Sequence, residues 1–307
     1  QHPLDNTYAS KFLDRYLEVL DNLHMHFLQS DVEEFDGYRK TLDELTERQG
    51  DIKPSLRIFS RFLERIEQRV DYVDELLKTE KFEFAGDDRY NLDRRKTARP
   101  KDLEEARQIW RQHLRYEILQ EKLAKEKPAD IADKITRRYA RLLKTLKEYD
   151  NEDILELYLS ALAHAYDPHS DYMGKSALES FNISMKLALF GIGALLRSED
   201  DYCKIVSLVP EGPAEKSKSL KPNDRIIAVA QGSGDPVDVV GMKLNKVVEM
   251  IRGEKGTKVT LTTIPADAPD PSVRRTVNLI RDEIKLEDQE AKAKIIDLPP
   301  ENGKSLR

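Results

Sequence analysis

Two glycines bracket one isoleucine in Leu189-Phe190-Gly191-Ile192-Gly193, the segment whose residue types point most directly to chemistry. With no Cβ in the way, successive backbone amides around Ile192 can turn inward and form a concave array of donors suited to a carboxylate. Phe190, Gly191, Ile192 and Gly193 are therefore the candidate anion-binding positions. Residues 193–196 read as a strand that could pair in antiparallel fashion with an extended chain and add it to a sheet edge. Selection among chains would then fall to an apolar pocket, for which Leu189, Ile192, Leu195, Leu244, Val247 and Val248 are the candidates. Taken alone, a G-x-G also describes a bulge or bend without a ligand. Leu244, Val247 and Val248 equally fit the buried face that any helix needs.

Other chemistries find less support. His24 and His26 are two apart on an expected helix, so they point in different directions and cannot share a metal as an i, i+4 pair could. Cys203 is the single cysteine, which excludes an internal disulfide and a multi-cysteine zinc site and suits a small core residue. Ser217-Lys218 and Lys304-Ser305 are adjacent pairs with no pocket implied around them, and they read as solvated surface. There is no H-E-x-x-H, G-x-S-x-G, Walker A loop or EF-hand sequence, and Arg94-Arg95-Lys96 is too short to argue for nucleic acid. No catalytic residue, metal ligand or cofactor is assigned.

The elements that must position the glycine loop fall into two textures. From 7 to 27 the residues Tyr8, Phe12, Tyr16, Leu20, Leu23 and Phe27 recur every three or four positions, which predicts an amphipathic helix. Ser30 and Glu33 fit a capping box that starts a second helix through Leu42 and Leu45, stopped by Gly50. Pro54, Pro100 and Pro128 each open a further helix, separated by a connection over 86–99, and Asn151 caps the last one. Residues 1 to about 165 are thus nearly all helix. Beyond Ser180 glycine, proline and β-branched runs take over. Strands are expected at 183–189, 194–197, 204–208, 225–229, 258–264 and 275–280, with helices near 214–219 and 243–251 and one more strand at 291–296. The fold class is α+β multidomain: an all-α amino-terminal domain followed by a small β-barrel with two helices.

Length and charge agree with that division. At 307 residues the chain exceeds one ordinary core. Its 51 basic and 57 acidic residues are interleaved, so no broad cationic field exists and nucleic acid is not an expected partner. No apolar run approaches the roughly 20 residues that span a bilayer. The chain opens on Gln1 rather than Met, which fits an amino end processed or truncated, with room for a lost signal peptide.

The order of several segments carries a resemblance. Leu189 to Gly193, then Glu211-Gly212-Pro213-Ala214-Glu215-Lys216, then Pro222-Asn223-Asp224-Arg225-Ile226, then Leu244 to Gly253 and Gly256-Thr257-Lys258-Val259-Thr260-Leu261 together resemble a bacterial PDZ domain. Asp167-Pro168-His169-Ser170-Asp171-Tyr172 ahead of it is similar to the D-P-H-[ST]-x-Y sequence of carboxyl-terminal processing proteases. With the helical amino-terminal region and the charged exit over 280–288, the chain resembles the tail-specific protease branch. The resemblance implies a helical domain at 1–175, a PDZ domain at 176–288, and at 289–307 a linker and first strand leading to an absent protease domain. It implies a groove that binds apolar protein C-termini for delivery to a Ser-Lys serine endopeptidase, a periplasmic location, and an adaptor protein on the helical domain as a further partner. This chain lacks the dyad and should be inactive alone; His169 reads as a turn residue. Two other readings stay open: a non-enzymatic PDZ scaffold or adaptor, and a PDZ lid that gates a protease active site.

Overall fold

The computed structural model describes residues 4–86, 89–186, 188–270, 272–285, 298–301 and 304–306. The chain divides into two compact units, Gln1–Gly174 and Lys175–Arg307.

The first unit is helical. It contains α1 (Asn6–Asp21), α2 (Gln29–Phe35), a 3-10 turn (Asp36–Lys40), a π turn (Asp43–Arg48), α3 (Lys53–Thr79), α4 (Leu103–Leu123), α5 (Pro128–Lys147) and α6 (Asn151–Tyr166). Helix α3 serves two cores. Its first half places Ile58, Phe62 and Ile66 against Phe12, Tyr16, Phe27, Phe35 and Tyr158, and its second half places Val73 and Leu76 against Leu114, Ile118 and Ile135. The indole of Trp110 closes a smaller cluster and donates to the Met25 carbonyl at 2.6 Å.

Two boundaries differ from the periodicity, and buried carboxylates are the reason. The expected helix over 7–27 stops at Asp21, because that carboxylate turns back to accept from the amides of Met25, His26 and Phe27 at 2.9, 3.1 and 3.0 Å. Arg99 neutralises it at 2.6 Å. Likewise α2 begins at Gln29 rather than behind Ser30. The fully buried Asp31 accepts from the Leu28 amide at 2.9 Å and pairs with Arg61 and Arg65, so it holds the helix start from within the core. Removing one partner of such a buried pair costs about 3 kcal/mol or more. Asp150, one residue before the expected Asn151, caps α6 by accepting from Glu152 and Asp153.

The second unit carries α7 (Lys175–Lys186), β1 (Ala188–Gly191), β2 (Ala194–Glu199), β3 (Tyr202–Leu208), α8 (Pro213–Lys216), β4 (Arg225–Gln231), β5 (Val237–Asp238), α9 (Leu244–Ile251), β6 (Lys258–Ile264), β7 (Arg275–Ile280) and β8 (Asp282–Lys285). A short hairpin, β9 (Leu298–Glu301) with β10 (Lys304–Leu306), follows. The main sheet runs β2-β3-β4-β6-β7 in antiparallel order, with β5 on β4, while β1 pairs with β8 in a separate two-stranded sheet. The barrel expected from the strand count does not close among the described strands. β2 and β7 end the sheet without meeting, and α9 packs against β2 and β4. The strand expected at 183–189 is mostly helix α7, with β1 starting only at Ala188; the one expected at 291–296 lies outside the described residues. The core joins Ile192, Ile205, Val229, Val247, Val259 and Leu261. Asp224 fixes two crossings of the chain, accepting from Lys221 N at 3.0 Å and Ala266 N at 2.8 Å.

One buried group in the helical unit makes a pH-dependent contribution. Burial, followed by the charges of Arg69, His113 and Arg99, holds His26 well below its ordinary value of 6.5. The unfolded chain therefore binds the extra proton first: stability is complete above about pH 6.5 and declines as pH falls toward the folded value. The urea midpoint should drop between about pH 7.5 and about pH 5.5, and His26→Gln should flatten that drop. Equal drops in the two proteins would show that His26 is not the source.

Candidate functional site

The glycine loop lies where β1 ends and β2 begins, and its carbonyls are fixed first. Ala214 N, at the start of α8, donates to the Ile192 carbonyl at 2.8 Å, and Val209 N donates to the Gly193 carbonyl at 2.9 Å. The segment Glu211-Gly212-Pro213-Ala214 makes that anchor possible: Gly212 N closes on Val209 O at 3.1 Å, and Glu211 N is held by the Glu215 carboxylate at 2.7 Å. Every described peptide bond is trans. In a trans peptide the N–H points opposite to the carbonyl of the preceding residue. The Gly193 and Ala194 amides consequently point away from α8 and β3. The ladder leads to the same orientation, because Ala194 and Leu208 face each other outside the hydrogen-bonded pair, where backbone groups turn outward.

The Gly193 amide is enclosed, and both it and the Ile192 amide before it lack an intramolecular acceptor among the described residues. Gly191, Ile192 and Gly193 are buried, and among the described residues no acceptor meets the Ile192 or Gly193 amide. Buried backbone donors almost always have a partner, so a pair without one marks a place for an acceptor from outside. Gly193 is required here on two grounds: its φ is +72°, and a Cβ would meet Ile284 Cδ1 at 3.1 Å and the Gly212 backbone at 3.2 Å. Gly191 pairs with Asp282, and a Cβ on it would lie 3.2 Å from Leu189 Cδ1 and 3.8 Å from Arg252 Cγ.

Beside the loop runs the open edge of β2, whose one partner among the described strands is β3. Helix α9 packs against it. Of the residues singled out from sequence, Leu244 and Val248 are half-buried and one helical turn apart, on the stripe adjoining the core. Val247 is fully buried in the core with Ile251, so it backs the stripe rather than facing outward. Leu189 is half-buried; Phe190 is 48% exposed on β1. Leu195 is 57% exposed, next to a register shift in the β2–β3 ladder, while its neighbours Ala194 and Leu196 pack against the core. Sequence reasoning missed Ala194 and Leu196, though strand alternation from Ile192 singles them out.

The remaining candidates have surroundings of their own. Cys203 is buried on β3, and burial pushes its thiol up to about 11. In the helical unit, His24 Nδ1 lies 2.6 Å from the Thr97 carbonyl. Asp167 organises its turn by accepting from His169 N at 3.1 Å and Ser170 Oγ at 2.8 Å. Free amides, an open strand edge and an apolar helix stripe together can hold the anionic end of an extended chain.

Comparison with known proteins follows the same division. Residues 1–176 match the model of the tail specific protease N-terminal domain, and residues 181–264 match the PDZ domain. The chain is 40% identical over 290 residues to a tail-specific protease of Haemophilus influenzae, covering 94% of this chain and 41% of that protein. It is 34% identical over 131 residues to the carboxy-terminal processing protease CtpA of Bacillus subtilis, 42% of this chain and 27% of that one. A crystal structure of the PDZ domain of a carboxy-terminal protease from Vibrio cholerae, in complex with peptide, is 49% identical, covers 33% of this chain and 100% of its own, and has a TM-score of 0.30. The chain thus spans 41% or less of these two curated relatives.

The crowding at Gly193 has a measurable consequence. Gly193→Ala should lower the unfolding free energy by about 2 kcal/mol or more in denaturant titrations. Gly232, with φ +56° but open space around it, supplies the comparison: its alanine variant should lose only about 1 kcal/mol. Equal losses would mean that the contact with Gly212 and Ile284 is not what reserves the position.

Proposed function

The chain belongs to the tail-specific protease family, and we propose that its PDZ module captures protein C-termini as the substrate-recognition part of such a protease. The observation that carries this reading is the pair of enclosed, acceptor-free amides at Ile192 and Gly193 beside an open strand edge. A terminal carboxylate would accept from the loop formed by Phe190, Gly191, Ile192 and Gly193, with the Ala194 amide as a further donor. The residues before it would pair with β2, and the terminal side chain would enter the stripe of Leu244 and Val248 beside Ile192, Ala194 and Leu196. Leu189, Leu195 and Val247 complete the candidate set as rim and backing. Backbone pairing tolerates many sequences, so the selection rests on a free acid end and a small or apolar last residue.

Hydrolysis by a Ser-Lys dyad is assigned to the part of the relatives' length that this chain does not span, and the helical unit to holding that part and an adaptor protein. A periplasmic location accords with the family. No helix among the described residues is long and apolar enough to cross a membrane.

A short tail with few desolvated residues should bind in the micromolar range, about 8 kcal/mol. Calorimetry with one apolar-ended peptide as free acid and as amide tests the reading: the acid should bind and the amide should not. Gly191→Val should abolish acid binding with helical circular dichroism unchanged. Indistinguishable binding of acid and amide would remove the carboxylate loop from the account.

A further inference from the structure

Arg281, in the single-residue joint between β7 and β8, is only 3% exposed. All five of its N–H donors are used, and all five acceptors are neutral. Nε donates to Ile251 O at 2.8 Å and Nη2 to Met250 O at 3.0 Å, two last-turn carbonyls of α9 that have no partner within the helix. Nη2 also reaches Gln231 Oε1 at 2.5 Å, and Gln231 Nε2 returns a bond to Met250 O at 2.6 Å. Nη1 donates to Thr257 Oγ1 at 2.9 Å and Lys258 O at 3.3 Å. Gly253, at φ +157°, lets the chain leave α9 past this group: a Cβ there would lie 2.9 Å from Arg281 Nε.

A buried cation facing only neutral acceptors is costly, and burial accordingly lowers the pKa of Arg281. What compensates is the negative end of the α9 dipole, on which the guanidinium sits. The main chain of the same residue is equally committed. Arg281 N donates to Thr257 O at 2.9 Å, Gly256 N donates to Arg281 O at 2.8 Å, and the next residue, Asp282, pairs with Gly191. Helix α9 and the glycine loop are the two halves of the proposed groove; Arg281 is fastened to the first, and the residue after it to the second.

We propose, resting on the groove reading above, that Arg281 is the positioning residue of that groove: its guanidinium holds the carboxyl end of α9 while its backbone starts the strand that pairs with Gly191. One side chain thereby sets the separation of wall and carboxylate loop, and with it the size of terminal side chain admitted. Lysine keeps the charge but replaces the planar fork with one ammonium, and cannot hold both last-turn carbonyls, Gln231 and β6 together.

The test is a calorimetric titration of the whole chain with peptides of equal length ending in alanine, leucine or phenylalanine, each as acid and as amide. Arg281→Lys should keep the preference for acid over amide but shift the phenylalanine-to-alanine affinity ratio by about tenfold toward phenylalanine, as the loosened wall admits a larger side chain. Gln231→Ala, at an exposed position, should shift the ratio the same way by less, and it stands in if Arg281→Lys does not fold. Melting temperatures are taken in parallel. A variant that melts lower yet ranks terminal residues as the wild type does overturns the positioning role, as does an unchanged ranking in Gln231→Ala where that is the only folded variant. A wild-type chain that does not distinguish acid from amide sinks the groove reading itself, and this inference with it, whatever the variants do.

Discussion

The recognition unit depends on two carbonyls being fastened before any ligand arrives. Ala214 N and Val209 N take the Ile192 and Gly193 carbonyls, and peptide planarity then dictates that the following amides face the other way. A donor array of this kind needs no charged side chain and loses little freedom on binding, because folding has already ordered it. The left-handed backbone at Gly193 and its close approach to Gly212 belong to the same constraint, since the loop reaches both anchors only if nothing projects from that position.

In the helical unit a related logic operates through side chains. Asp21 and Asp31 are buried carboxylates that satisfy several backbone amides at chain reversals, each neutralised by arginine. Nearby, burial opposes ionisation of Glu117, but hydrogen bonds from His113, Tyr139 and Arg138 outweigh it and hold the carboxyl down to about 2. Asp21 and Asp31 define where helices stop and start more sharply than propensity does, because leaving one of them unpaired would cost more than a turn of helix contributes.

How much was legible follows from these forces. Strands β6 and β7 were readable to the residue because β-branched runs end at turn formers, α5 because Pro128 opens it, and α3 and α6 to within one residue of their starts at Lys53 and Asn151. The helix boundaries at Asp21 and Gln29 were not, since they depend on Arg99, Arg61 and Arg65, far away in sequence. Helix α7 was misread in part as strand: in Ile183-Ser184-Met185-Lys186 apolar and polar residues alternate with a strand's period, yet they form the end of α7. At the candidate site, glycine spacing marked the loop. Periodicity could not tell that Val247 would turn to the core and Val248 to the neighbouring stripe. Nothing local in the sequence marks Arg281, whose partners span 50 residues of chain.

The central claim is that the free amides of the glycine loop, Ile192 and Gly193 with Ala194 beyond them, await an acid from outside. Amide-resolved NMR during titration with an apolar-ended peptide tests it most directly. The account predicts that the Gly193 and Ala194 N–H resonances move strongly downfield with the free acid and stay in place with the matching amide. Resonances that remain unmoved by the acid while others in the module shift would contradict it.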